Sequence, residues 1–495
     1  MRGQRRQSAA TPARRCAYEI LSQVADGRGY VHDVADRLFA KSDLPRNERA
    51  FALLLASGVV STYGSLDQAI DEVLSNPDDI DFAVRQALHI STYELFFLGK
   101  SPHAAVDQGV ELVRWVAPKA SGVANFALRR LAERAPEWRR RFDEDGWALV
   151  REAASIDDPA SDEATELIED VAMRLGFPAW LLRRVAFDHG VAWAVAFASY
   201  SNAAAPVFFM VNEAVSSVDE VRATLAEAGV EVSSVAPLSS KEHRISGTFP
   251  TFKLVQRGQV GHPAFEGLLD AGAVVVSDAA AQQVVRMALP DECPDRFLEI
   301  GSGRGVKTAM LQTAALRRYG CFMELETVEV NERKAERAAK RLGKQGVPVA
   351  AWHALDATDL SELGDVVFQA VFVDAPCSGT GTLRRHPEIR WNLQKADVAD
   401  MSALNLALLK EAASHVAPGG RLTYATCSTL DQENAKVLRR FLASEEGSRF
   451  MPLATFFTHL ETASADEGQR AADGLRALSA ADAPDLHFCC AMARL

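Results

Sequence analysis

Two short stretches carry residues able to do covalent chemistry. VFVDAPCSGTG, starting at Val371, and RLTYATCS, starting at Arg421, each begin apolar and end in small or polar residues with one cysteine at the tip. The first reads as a core strand stopped by Pro376, since proline cannot donate to a sheet ladder. The second reads as a strand entered through the turn Pro418-Gly419-Gly420. In an open α/β sheet, ligands collect beyond the carboxyl ends of the strands, so Asp374, Cys377 and Cys427 belong on one edge. A thiolate is a soft nucleophile, and a carboxylate beside it can supply or fix a proton. Carbon 5 of cytosine is a substrate such a set suits: it is a poor nucleophile until something adds to carbon 6. A thiolate can make that addition, an acid at ring nitrogen 3 stabilises the adduct, and a base then strips the carbon 5 hydrogen. The competing reading is two buried filler cysteines, and for either cysteine alone it is the better one.

Composition sets bounds. A chain of 495 residues is too long for one core, which predicts two to four domains. Hydrophobic content of 48% with 24% charged residues fits a soluble globular protein, and no stretch has the apolar length of a membrane span. The basic start MRGQRRQS lacks the apolar segment of a secretory signal, and the seven cysteines are scattered without a C-x-x-C. Both point to the cytoplasm. A net charge of −12 excludes a uniformly basic surface but allows a local one. Local excesses lie at Arg2, Arg5, Arg6, Arg14 and Arg15, and at Arg384, Arg385 and Arg390 beside the Pro-Cys stretch.

The elements that must position the chemistry follow from periodicity. Residues 12–135 repeat apolar side chains at three- and four-residue steps, as in AYEILSQV and FALLLASGVV, and predict a helical domain. Residues 136–170, with EWRRRFDEDG and DDPASDEATE, predict a charged linker. Residues 171–270 predict a small α/β subdomain, with a strand at APVFFMVN and a helix at SVDEVRATLAEA. From 271 to 495 the rhythm is strand–helix alternation, as in a doubly wound sheet. There VVVSDAAAQQ reads as a strand leading to a helix that carries Asp278 and Gln282. FLEIGSGRGVKT reads as a strand, a glycine turn and a helix, with Gly301, Gly303 and Gly305 letting backbone approach a ligand at the helix N-terminus. Glu329, ending the next strand, is placed for ribose hydroxyls. Those features alone leave a dinucleotide and S-adenosylmethionine both open; Asp356, after the following strand, suits an adenine edge as in class I methyltransferases. The polar stretch 463–474 predicts a loop, and HFCCAMARL a last antiparallel strand.

DAPCSGTG, RRHPEIRW and YATCS, in that order, resemble the signature of RsmB-type (Sun) RNA cytosine-C5 methyltransferases. The resemblance implies Cys427 as nucleophile, Cys377 as the residue that assists product release, and catalytic positions for Asp374 and Lys307. It implies S-adenosylmethionine as cofactor, held by Gly301, Ser302, Gly303, Arg304, Gly305, Lys307, Glu329, Asp356 and Asp374, and no metal. SPHAAVDQGVELV and NFALRRL resemble the NusB-like helical domain, an RNA-binding bundle. The implied fold class is α/β: a helical NusB-like domain, a small α/β subdomain that also binds RNA, and a class I (Rossmann-like) methyltransferase domain. The implied partner is 16S ribosomal RNA, with no membrane and a monomeric protein. Two departures stand out. Met210 replaces an arginine usual in the family, with Arg183 or Arg184 as substitutes for its phosphate contact. GRGVKT replaces APGGKT, so Arg304 and Val306 bring side chains into the cofactor loop. Alternatives are a noncatalytic assembly factor that keeps the fold, and a class I methyltransferase acting on transfer RNA or protein; the cysteine pair argues against N- or O-methyl transfer.

Overall fold

The computed structural model describes residues 10–143, 149, 152–235, 250–458 and 483–495. Arg2, Arg5, Arg6 and the stretch 463–474 lie outside them. The chain forms two compact units.

The first unit holds the helices up to residue 203 and, from far along the chain, the segment Leu383–Asn392. Its opening helix, Pro12–Ala25, buries Ala13, Cys16, Ala17, Ile20, Leu21 and Val24, a spacing that puts all six on one face. The helix Ser121–Asp143 runs past the expected domain end at 135. Trp138 is the reason: it is 1% exposed and stacks on Phe96 at 5.8 Å, which anchors a segment whose charge density alone suggests a linker. The linker's far end is ordered too. Ser161 caps the helix Asp162–Leu175 through Ala164 N, and Gly176, at φ 67°, ends it in the left-handed region. This helix and the next two, Ala179–His189 and Val191–Asn202, belong to the first unit, so the expected boundary at 171 does not divide the contacts. Phe177, in the turn between the first two, packs edge-on against Phe197 of the third at 5.9 Å.

The segment 383–392 corrects a second expectation. Arg390, grouped above with the basic surface, is fully buried. Its guanidinium donates to Ser61 O at 3.0 Å and Asn202 Oδ1 at 2.8 Å, and lies 3.9 Å over the Phe177 ring. Burial pulls it down to about 9. Arg384 sits 4.1 Å over Tyr200, and Arg385 is half-buried. Trp391 donates to Val60 O at 2.8 Å, and Gly64 faces its ring so closely that a Cβ there would lie 2.7 Å from it.

The second unit contains two sheets. Strands β1 (Phe208–Val211), β2 (Val232–Val235), β3 (Thr251–Leu254) and β4 (Val274–Val276) form an antiparallel sheet in the order β2-β3-β1-β4. β4 was expected in the larger sheet; it pairs with β1 instead. Met210 lies in β1, 1% exposed, so that position is core rather than a phosphate contact. In the first unit, Arg183 and Arg184 are tied to Glu169 and Asp188.

The larger sheet holds β5 (Phe297–Ile300), β6 (Leu325–Val328), β7 (Ala351–His353), β8 (Phe368–Asp374), β9 (Val416–Thr426), β10 (Phe450–Phe457) and β11 (Phe488–Arg494), in the order β10-β11-β9-β8-β5-β6-β7. β5 to β9 are parallel, and β11 runs antiparallel between β9 and β10. The turn Pro418-Gly419-Gly420 lies inside β9 rather than before it, where the register against β8 shifts. The chain leaves β5 toward β6 on one side and reaches β8 on the other. That makes the carboxyl ends of β5 and β8 the switch point where a crevice opens.

Replacing Arg390 with alanine leaves its carbonyl and amide acceptors buried without a donor. Thermal unfolding of the Arg390→Ala protein should show a loss of about 3 kcal/mol; an unchanged melting curve would contradict the structural role given to this side chain.

Candidate active site

β8 and β9 bring the cysteines together. Asp374 pairs with Ala425 in register, so the two chains leave the sheet at the same level and their tips meet. Cys377 Sγ lies 3.2 Å from Cys427 Sγ, and both thiols are free. Gly381 lets the loops close: its N–H donates to Cys427 O at 2.8 Å, and a Cβ would lie 1.9 Å from Leu486 O.

Glu433 clasps the loops from beneath, and the sequence reading missed it. Its carboxylate accepts from Ser378 N at 2.7 Å, from Ser378 Oγ at 2.6 Å and from Ser428 Oγ. Those serines directly follow the two cysteines. Glu433 is fully buried, and burial pushes its carboxyl up against the pull of the serine hydrogen bonds. The only signal in the sequence was an acid six residues after Cys427, which without the fold is one glutamate among many.

The third member arrives from β5. Lys307, on the helix Val306–Tyr319, donates from Nζ to Asp374 Oδ2 at 2.8 Å. A lysine at a helix start is commonly solvated, but this one is mostly buried. Burial opposes its charge, but the Asp374 carboxylate outweighs that and lifts the ammonium above its ordinary value. The thiols diverge. The hydrogen bond from Cys377 pulls Cys427 down despite burial, and Lys307 adds to the effect. That same bond, together with burial, drives Cys377 well up. The two shifts run in opposite directions, so thiolate character is favoured on Cys427 and the proton on Cys377.

The glycine turn lies at the end of β5. Gly301 has φ 87°, and a Cβ there would lie 2.4 Å from Asp374 O, so only glycine lets the turn pass beside β8. Gly303 and Gly305 are also left-handed. Glu329, past β6, accepts from Gly303 N at 2.9 Å and Asn331 N at 3.0 Å, which fixes the acid against the turn. Asp356 is exposed beyond β7, closing its own turn through Thr358 N and Oγ1. Arg304 is exposed, and Val306 packs on the apolar core, so neither replacement fills the turn. Ser302 Oγ and Glu299 Oε1 are buried beside it without a hydrogen-bond partner, and burial raises Glu299 to about 8. Left-handed glycines, an acid fixed against the turn and unfilled polar atoms fit a polar cofactor carrying a ribose.

Two measurements test this geometry. Alkylation of Cys427 by iodoacetamide should titrate below an ordinary thiol, and Cys377→Ala should move the midpoint upward, because the hydrogen bond that favours the thiolate is lost. An unmoved midpoint would show the thiols to be uncoupled. Glu433→Ala, which releases both loops, should lower turnover by roughly 100-fold, the scale of a misplaced reacting group. Glu433→Gln keeps an acceptor and should lose much less.

The fold has known counterparts. The profile of the 16S rRNA methyltransferase RsmB/F family matches residues 286–488, that of the NusB family residues 11–133, and that of the RsmF/B-like ferredoxin-like domain residues 177–240. A putative methyltransferase of Mycobacterium tuberculosis is 31% identical over 434 residues, covering 86% of this chain and 85% of the relative. Ribosomal RNA small subunit methyltransferase B of Klebsiella pneumoniae is 27% identical, covering 87% and 89%. The crystal structure of PH0851 shares the fold, with a TM-score of 0.65 at 20% identity over 97% of this chain and 98% of that one. With three family regions matched in chain order and a 31% identical relative aligned along most of its length, the chain belongs to the RsmB/F family of S-adenosylmethionine-dependent rRNA methyltransferases.

Proposed function

We propose that this protein methylates carbon 5 of a cytosine in 16S ribosomal RNA through a covalent bond between Cys427 and the base. The observation that carries this reading is the thiol pair at 3.2 Å beside the Lys307–Asp374 ion pair, since N- or O-methyl transfer has no use for two coupled thiols. The Cys427 thiolate adds to carbon 6, and electron density moves through the ring toward nitrogen 3. Asp374 takes a proton from Lys307 as it donates one to that nitrogen, which offsets the charge building there, and the proton returns when Cys427 leaves. Glu329 would hold the ribose hydroxyls and Asp356 the adenine edge of S-adenosylmethionine at the glycine turn, and the cofactor would supply the methyl group that carbon 5 takes up. Attack also changes Cys377. Once Cys427 is a thioether, the neighbouring thiolate that held Cys377 protonated is gone, and its proton passes to solvent. Cys377 then takes the carbon 5 hydrogen, the carbon 6–sulfur bond breaks, and Cys427 leaves as thiolate.

The two cysteines therefore act in different steps. Cys427→Ala should give neither methylated product nor a covalent complex. Cys377→Ala should allow attack and stall release, so protein linked to RNA should accumulate and survive denaturing electrophoresis. Trapping by Cys427→Ala instead would reverse the assignment, and full turnover by both variants would remove covalent catalysis. Bisulfite sequencing of 16S rRNA from a deletion strain locates the base; an unchanged pattern would refute the substrate.

A further inference from the structure

The helix Glu332–Lys344, between β6 and β7, reads ERKAERAAKRLGK. At 100° per residue, Arg333, Arg337, Lys340 and Lys344 fall within one narrow arc, a stripe about 16 Å long. Lys334 and Arg341 flank it on one side, Glu332 and Glu336 on the other. Ala335, Ala338 and Leu342 form the opposite, buried face. That face packs on the cofactor turn: a Cβ on Gly305 would lie 3.1 Å from Leu342 and 3.2 Å from Ala338. The four stripe residues are exposed and, among the described residues, have no acidic partner. Several arginines elsewhere are neutralised in place, as Arg14 is by Glu94, Arg85 by Asp67 and Asp71, and Arg318 by Asp291. In a chain of net charge −12, an unneutralised stripe of this length is a concentrated positive field.

We propose that this stripe binds the phosphate backbone of the RNA substrate, giving the methyltransferase unit its own RNA contact. The inference rests on the reading that the substrate is RNA. Charge complementarity selects the partner. Arginines and lysines at i, i+4, i+7 and i+11 present a row of donors suited to successive phosphates, and the stripe has no apolar component that would dock a protein. It carries no base readout, so its effect should be the same for any sequence.

The test uses the full-length protein and a fluorescent 16S rRNA fragment, with binding followed by anisotropy from low to high salt. Each phosphate contact contributes about 0.7 to the slope of log affinity against log salt for a single strand. Arg333→Gln/Arg337→Gln/Lys340→Gln should therefore flatten the slope by about 2 and weaken binding at least 10-fold at low salt. Its affinity for S-adenosylhomocysteine and its melting temperature should stay unchanged, which excludes a folding defect. Arg439→Gln/Arg440→Gln, on the separate exposed helix end of Ala435–Leu442, should leave the slope nearly as it was. Wild-type slope and affinity in the triple variant would overturn the proposal, including the case in which the stripe serves an acidic protein. An equal fall in both variants would overturn it too, because net charge alone would then account for the loss. Failure of the wild-type protein to bind the fragment at all would strike the RNA reading itself.

Discussion

Two thiols 3.2 Å apart cannot both carry a negative charge, and the site is built on that constraint. Sharing one proton favours thiolate character on one sulfur and the thiol on the other. Nothing in either cysteine chooses which is which. The hydrogen bond between them favours charge on Cys427, and the Lys307 ammonium adds to that preference. Part of the asymmetry therefore comes from a residue on a third element, past the end of β5.

The constraint reaches down into the sheet. A sulfur–sulfur contact of this kind tolerates little error, so β8 and β9 must end at one level and stay there. The pairing of Asp374 with Ala425 sets the level. The carboxylate of Glu433, buried under both loops, holds it by accepting from the residues that follow each cysteine. Burying a carboxylate is costly, and three hydrogen bonds to it are what make the arrangement tolerable. Glycines appear where this packing leaves no room for a side chain, at Gly381 between the loops and at Gly301 against Asp374.

Arginine serves opposite ends in the two units. Arg390 is stripped of water and satisfied by Ser61 O, Asn202 Oδ1 and the face of Phe177, which makes it part of a core. On the helix Glu332–Lys344 the four cations of the stripe stay exposed, and among the described residues none is paired with an acid. Residue type and local spacing do not distinguish these cases. Burial does.

Much of this protein was legible in its residues. Period-two and period-3.6 patterns are local, so the helices of residues 12–135, the strand–turn–helix at FLEIGSGRGVKT and the strand ends at Asp374, Cys377 and Cys427 could be read directly. The carboxyl-edge rule for parallel sheets then put the chemistry on one side. What escaped depended on partners distant in sequence. Trp138 turned an apparent linker into helix because Phe96 was there to receive it. β4 joined the smaller sheet because β1 offered an edge. Arg390, which looked like surface charge, was decided by Ser61, Phe177 and Asn202, between 188 and 329 residues away. Glu433 gained its place only when two loops 50 residues apart met above it. Sequence determines which groups a segment can offer. Burial and hydrogen-bond partners, which set charge state and position, belong to the tertiary structure, because desolvation and contact are properties of neighbours in space.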